Sequence, residues 1–309
     1  MAFKVGVQNG LSVTRALLSL FLGTATASGQ EVPNGWSARP PEHVEALRRQ
    51  GADLPLSERI EHLSAAFLGA DYRLDPIGEW RLPDPDPPAR YDSFDCLIYV
   101  EEVLALAMAA DALQVPQTRH ALRYLGEDHS YQGRKHFMEL QWIPDNIATG
   151  WLVDVTASLG PTVSLSREIN PDDWARWTGR SSIKLTDEQL PTGTMQLEVL
   201  PIAKALTSFE RIEPGSVVFS VHQDRVDKPI WISHVGFAVE NASGGLSLRH
   251  ASTKRGGKVH DLSFSAHLAN LANAYEHWPM LGIVVLQPQE QGPRRALLTS
   301  GQVKERPQP

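Results

Sequence analysis

The chain of 309 residues contains a single cysteine, Cys96, and eleven histidines. A lone cysteine cannot close a disulfide within its own chain, so it is either a buried packing residue or a working thiol. Its neighbours favour the second reading. Asp92, Ser93 and Asp95 precede it as candidate caps and a long apolar run follows, which puts Cys96 in or just before the first turn of a helix. There the unpaired backbone N–H groups favour the thiolate, the form that attacks a carbonyl, and lower its pKa. A nucleophile of this kind needs a base, and the base needs a third group to orient it. His234 in WISHVGFAVE and His250 in LSLRHAS supply those types. Each sits in a strand-like run, and a Gly-rich turn between them lets a hairpin bring the two imidazoles side by side. His43, His62, His120 and His277 carry no such pattern. The sequence has no HExxH motif, and one cysteine is too few for a thiolate-rich zinc site, so the residues point away from a metallohydrolase and call for no cofactor.

The elements that must position these groups follow from periodicity. Residues 97–113 form the strongest helix signal: aliphatic residues and alanines dominate, without Gly or Pro, and Glu101 and Glu102 read as its exposed charge. Residues 41–50 and 56–68 carry apolar residues at helical spacing, with Ser57 as a candidate cap and Gly69 as a stop. Pro83, Pro85, Pro87 and Pro88 alternate with other residues in a stretch that can be neither helix nor central strand, a loop leading to Tyr91. Residues 117–207 show no clear period and read as loop-rich. From Gly215 the pattern becomes strand-like: 216–221, 230–239 and 246–251 are expected to be neighbouring antiparallel strands, with 282–286 as another.

Composition sets the outer limits. Hydrophobic residues make up 42% and charged residues 21%, as in ordinary globular chains, which excludes a disordered or fibrous protein. The first residues read as an export signal: Lys4 and Arg15, the apolar run 16–23, then Ala25-Thr26-Ala27 as a small-x-small cleavage pattern. An attached amphipathic helix is the alternative, disfavoured because no acidic residue interrupts the stretch. Cleavage after Ala27 removes Lys4 and Arg15 and no acid, so the formal charge moves from −7 to −9. A chain so acidic, without a basic stripe, is not expected to bind nucleic acid. No later run reaches the roughly 20 apolar residues of a membrane span, and no cysteine near the cleavage point offers a lipid anchor. The expected organisation is a signal at 1–27, one catalytic domain at 28–287 with a helical N-terminal elaboration, and a mobile tail at 288–309. An exported protein, periplasmic or secreted, follows.

FDCLIYVEEVLALA resembles the nucleophile helix of the NlpC-type, papain-like cell-wall cysteine peptidases, and more closely that of their N-acetylmuramoyl-L-alanine amidase-like branch. FLGADY, RKHFMELQWIPDN, EPGSVVF, ISHVGF and LRHAS resemble further segments of that branch in the same order, over about residues 66–286. The resemblance implies an α+β, papain-like fold, with the nucleophile helix packed on an antiparallel sheet. It makes Cys96 the nucleophile, His234 the general base and His250 its orienting residue. Tyr72 matches a tyrosine near the reacting carbonyl, and Asp95 an acidic residue with a capping role. Arg134, His136 and Trp142 match the middle motif and are expected to face substrate, Arg134 pairing with a carboxylate and Trp142 packing on a sugar or peptide face. Two departures stand out: Ser216 replaces the usual acidic residue in PGSVVF, and DYRLDP replaces the usual wording around Tyr72.

The implied substrate is a muropeptide or other peptidoglycan fragment, cut between N-acetylmuramic acid, often in its anhydro form, and L-alanine. The same catalytic groups would serve a peptidase cutting between γ-D-glutamate and the diamino acid, or a thiol acyltransferase in which an amine replaces water. A binding protein that kept the fold without activity is the reading from another class. Retention of Cys96, His234 and His250 together speaks against it.

Overall fold

The computed structural model describes residues 39–273 and 276–290, all within one compact unit. The expected export signal at 1–27 lies outside the described residues, as does the tail expected at 288–309 apart from residues 288–290. The chain opens with α1 (Glu42–Gln50) and α2 (Leu56–Ala65). Pro55, not Ser57, takes the N-cap position of α2, and no side chain caps it. Two-residue strands β1 (Asp71–Tyr72) and β2 (Ser93–Phe94) flank the proline loop and pair in parallel just before α3 (Cys96–Met108).

Helix α3 is wrapped on all sides, as its lack of a polar stripe requires. Tyr99, Val100, Val103 and Leu104 are each 0% exposed. Glu101 and Glu102 are buried too, at 2% and 0% exposure, so they are not the solvent-facing charge that helix periodicity alone suggests. Burial is possible because α4 (Val115–Arg123) brings cations to them. Arg119 Nε donates to Glu102 at 2.7 Å, and Arg123 donates to Glu101 at 2.6 Å and to Glu102 at 3.0 Å. Trp142 Nε1 donates to Glu101 at 2.8 Å. Tyr99 Oη donates to the Ser64 carbonyl, which fastens α2 to the opposite side of the helix.

The middle of the chain is more ordered than its sequence suggests. A π-helical turn (Met138–Trp142) leads into α5 (Ile143–Ala148), β3 (Leu152–Asp154) and α6 (Thr156–Leu159). Strands β4 (Val163–Ile169) and β5 (Gly193–Pro201) pair antiparallel along seven positions, with α7 (Pro171–Arg176) in the connection. Both strands alternate in burial, but the connection is far longer than a hairpin turn, so no local turn signal marks the pairing. Helix α8 (Ile202–Ser208) follows.

The remaining strands are β6 (Val217–His222), β7 (Ile232–Glu240), β8 (Leu246–Ser252), β9 (Lys258–Ser263) and β10 (Met280–Pro288), with α9 (Phe264–Asn273) between the last two. The expected antiparallel run β6-β7-β8 is present, and β9 extends it. The sheet order is β2-β1-β9-β8-β7-β6-β10-β5-β4, with β3 against β10. Both faces are covered. Val217, Phe219, Val235, Phe237 and Val239 join the core around α3, whereas Val218, Ala238, Leu248, Ile283 and Val285 pack with Phe264 and Leu268 of α9. Double coverage explains why VVFSV and VGFAV read as nearly continuous apolar runs. The architecture is α+β, with the cysteine-bearing helix on one face of a mainly antiparallel sheet.

Removing one carboxylate from the buried network tests its weight. Glu102→Ala takes away the group that both guanidiniums share and is expected to cost roughly 3–5 kcal/mol in urea unfolding. A loss below about 1 kcal/mol would show that α3 does not depend on the pairing.

Candidate active site

Asp95 is the N-cap of α3: its Oδ1 accepts the Ile98 N–H at 2.8 Å, and its Oδ2 accepts the Asp75 N–H at 3.2 Å. Cys96 therefore occupies the first turn, half-buried. The preceding strands fix Tyr72 near it, since Tyr72 N donates to the Gly257 carbonyl at 2.7 Å and Arg73 N to that of Phe94 at 3.0 Å. On β7, His234 lies opposite Ser220 of β6, at a register shift. The Val235 N–H, next in the chain after His234, reaches the Cys96 sulfur. His234 Nε2 and His250 Nδ1 are 2.5 Å apart, their rings nearly perpendicular at 78°. Between them in the register sits Gly236, where a Cβ would come within 2.9 Å of the His250 Cβ and 2.8 Å of the Arg249 carbonyl oxygen. A glycine there leaves room for the His250 side chain.

Cys96, His234, His250 and Tyr72 line one cavity of about 370 Å³. Sequence reasoning missed the rest of its wall, which includes His222, Lys254, Arg255, His260, His267 and Trp278. His260 is directly opposite His250 in the β8–β9 pairing, but that signal exists only once β9 is known, and its short sequence KVHDLS has no strong strand pattern. His222 stacks on Trp278 at 3.7 Å and bonds Ser233 Oγ at 2.7 Å, while Lys228 covers the Trp278 ring at 4.4 Å.

The middle-motif residues lie elsewhere, and their expected contact with substrate is corrected by their positions. Trp142 is 0% exposed beneath α3. Arg134 already holds protein carboxylates, Glu79 at 2.7 Å, Asp84 at 3.0 Å and Asp75 at 3.2 Å. His136 bonds the Tyr131 carbonyl at 2.6 Å. None of the three lines the cavity. Their segment braces the site from behind instead: the buried Glu139 carboxylate accepts the N–H groups of Trp231 and Ile232, at the entry to β7. Arg134 holds the proline loop through Asp75, whose N–H meets the Asp95 cap.

The electrostatics differ from the helix-terminus expectation. Burial and then the Asp95 charge push the Cys96 thiol up to about 12, and the N–H groups of Val235, Leu97 and Cys96 itself only partly oppose this. Burial, with Lys254 and His260 adding to it, pulls His234 down to about 4. The resting pair is a thiol and a neutral imidazole, so attack by the sulfur would require the proton to move. Tyr72 is held up to about 12 by burial, Cys96 and Asp95, and stays a hydroxyl donor. Among the described residues, His120, Glu127 and His129 have ligand atoms within 4.8 Å of one another, a spacing that could hold a metal. They do not line the cavity, and the His120 and His129 rings stack at 3.6 Å.

A family described as AmiA-like, N-acetylmuramoyl-L-alanine amidase-like, matches residues 62–273, and the chain belongs to that family. A Legionella pneumophila protein assigned to the family model DUF1460 superposes with a TM-score of 0.69 at 25% identity, over 80% of this chain and 94% of that one. An N-acetylmuramoyl-L-alanine amidase from Bacteroides uniformis gives a TM-score of 0.60 at 20% identity, over 76% of this chain and 99% of its own. At that identity the likeness shows a shared fold. No curated protein matches the sequence.

Two pH responses follow. Burial holds His234, His250 and His267 at about 4, about 2 and about 3. An unfolded histidine titrates near ~6.5, so the unfolded chain takes up more of these protons below that pH. Stability is expected to be full above about pH 6.5 and to fall as the pH drops toward 4. Asp95, raised to about 6 by burial, opposes the trend with a single carboxyl. Urea midpoints at a series of pH values check this, and a midpoint rising with acidity would contradict it. Asp95→Asn keeps a capping side chain and removes the charge that raises the thiol. The onset of iodoacetamide alkylation at Cys96 is expected at lower pH in that variant, and an unchanged profile would dismiss the coupling.

Proposed function

We propose that this chain is a cysteine-dependent amidase of peptidoglycan fragments, cleaving the amide between N-acetylmuramic acid, anhydro form included, and L-alanine. Membership of the amidase-like family supports the substrate class. The observation that carries the chemistry is the gathering of Cys96, His234 and the hydrogen-bonded His250 on one cavity. In this reading the fold is the papain-like one of NlpC-type peptidases. The protein acts after export, a placement that rests on the N-terminal sequence pattern alone.

The hydrogen bond to His250 uses Nε2 of His234, which leaves Nδ1 to take the thiol proton. As it does, Cys96 Sγ bonds to the carbonyl carbon. Nearby backbone N–H groups and the Tyr72 hydroxyl are suited to hold the oxyanion. The C–N bond then breaks, and the His234 imidazolium gives its proton to the departing L-alanine amine. Water, deprotonated by His234, adds to the thioester, and the thiol returns as the muramic acid carboxylate leaves. His250 keeps the ring aligned and stabilises its charged form. Every step uses groups of the chain and water.

The test is incubation of the protein, and of Cys96→Ala, with anhydro-muramyl tripeptide, followed by mass spectrometry. The expected products are the sugar and an intact tripeptide, with at least a thousandfold loss in Cys96→Ala, the order seen when a nucleophile is removed. Two peptide fragments would replace this reading with a γ-D-glutamyl-diamino acid endopeptidase. No cleavage by a protein whose thiol still alkylates would reject hydrolysis of this substrate.

A further inference from the structure

The turn joining β8 to β9 carries two cations whose side chains have no partner among the described residues. Arg255, Gly256 and Gly257 have φ values of 53°, 83° and 67°, a tight reversal in which Lys254 and Arg255 are exposed. Neither charged end meets a carboxylate among the described residues. The other cations of the same hairpin do: Arg249 pairs with Asp261 and Lys258 with Asp71, both at 2.7 Å. Lys254 and Arg255 line the same cavity as Cys96. Among the described residues no aspartate or glutamate lines it, although the chain as a whole has a formal charge of −7. The charges are felt at the reaction centre, Lys254 by His234 and Arg255 by His250.

A second observation is independent of those charges. His250 is 4% exposed, and its Nε2 has no hydrogen-bond partner. In the tautomer assigned above, with Nδ1 accepting from His234, Nε2 carries the proton, so this cavity-lining histidine holds a buried N–H without an acceptor among the described residues. A cavity lined by two cations unpaired among the described residues, by no acid among them, and by a histidine with an unmet buried N–H is complementary to an anion that also offers acceptor oxygens.

We propose that Lys254 and Arg255 form an anion subsite that holds a free carboxylate of the substrate beside the scissile amide. The inference rests on the amidase reading and deepens it. In a muramyl peptide, the residue after L-alanine is D-isoglutamate, whose α-carboxylate is free and close to the bond to be cut. Arginine can take a carboxylate with two parallel N–H bonds, and lysine adds a point charge. Fragments in which that carboxylate has become an amide should therefore be poorer ligands.

Calorimetry on the full chain carrying Cys96→Ala separates binding from cleavage. The probes are N-acetylmuramoyl-L-alanyl-D-isoglutamate and its D-isoglutamine counterpart, which differ only in that group. The acid is expected to bind roughly three- to tenfold tighter, the range for a partly exposed ion pair, with the difference shrinking as salt is added. Adding Lys254→Ala and Arg255→Ala together should make the two ligands bind equally. Equal affinities before those changes, or a preference that survives them, would overturn the subsite. Turnover by the unaltered protein is scored apart. If it cuts neither ligand while the acid still binds better, the amidase reading falls and the subsite stands. If it cuts both with no charge preference in binding, the subsite falls and the amidase reading stands.

Discussion

Helix α3 carries Cys96 at its first turn while being surrounded by protein along its length. That burial forces two glutamates into the interior, where an unpaired charge would be ruinous. Arg119 and Arg123 answer them, with Trp142 adding a third donor. The network does more than neutralise. Arg123 Nη1 also reaches the Pro88 carbonyl at 2.9 Å, and Arg119 Nη2 the Tyr91 hydroxyl at 2.6 Å. The same guanidiniums thus hold both the helix and the proline loop that delivers the chain to it. The position of Cys96 relative to the sheet is a consequence of that fixed helix.

Behind the cavity, the RKHFMELQWIPDN segment works as a bracket. Glu139 meets the start of β7, Trp142 meets α3, and Lys135 is buried against the Ala121 and Leu122 carbonyls at 2.8 and 3.0 Å. One short stretch therefore ties the cysteine helix to the histidine strand. Residues whose types suit sugar or carboxylate recognition serve internal alignment here.

That division shapes the chemistry. Burial favours the neutral forms of both Cys96 and His234, so the site at rest stores no thiolate. In the proposed mechanism, reactivity arises when a carbonyl is in place and the developing charge meets N–H donors. His250 is buried and neutral beside His234, able to accept its N–H and to favour the imidazolium as it forms.

Much of the site was legible in the sequence because its signals are local. A lone cysteine after Asp95 and before an apolar run marks a capped helix start, and the β-rich runs around His234 and His250 announce strands. The ordered segments around them resemble one family, and the family match over residues 62–273 agrees with it. Burial of Glu101 and Glu102 was not legible, since helix periodicity cannot tell a solvated face from one met by a second helix. The β4–β5 pairing escaped because its partners are joined by a long connection rather than a turn. The roles of Arg134 and Trp142 were misread because side-chain type says what a residue can bind, not which partner reaches it first. By itself the sequence determined the reactive residue types and the elements that carry them, through propensity, capping and period, which act over a few residues. Only the tertiary structure decided which charges are paired and which histidines meet. It also decided which cations remain open to the cavity, because contacts between distant segments settle where each group is desolvated.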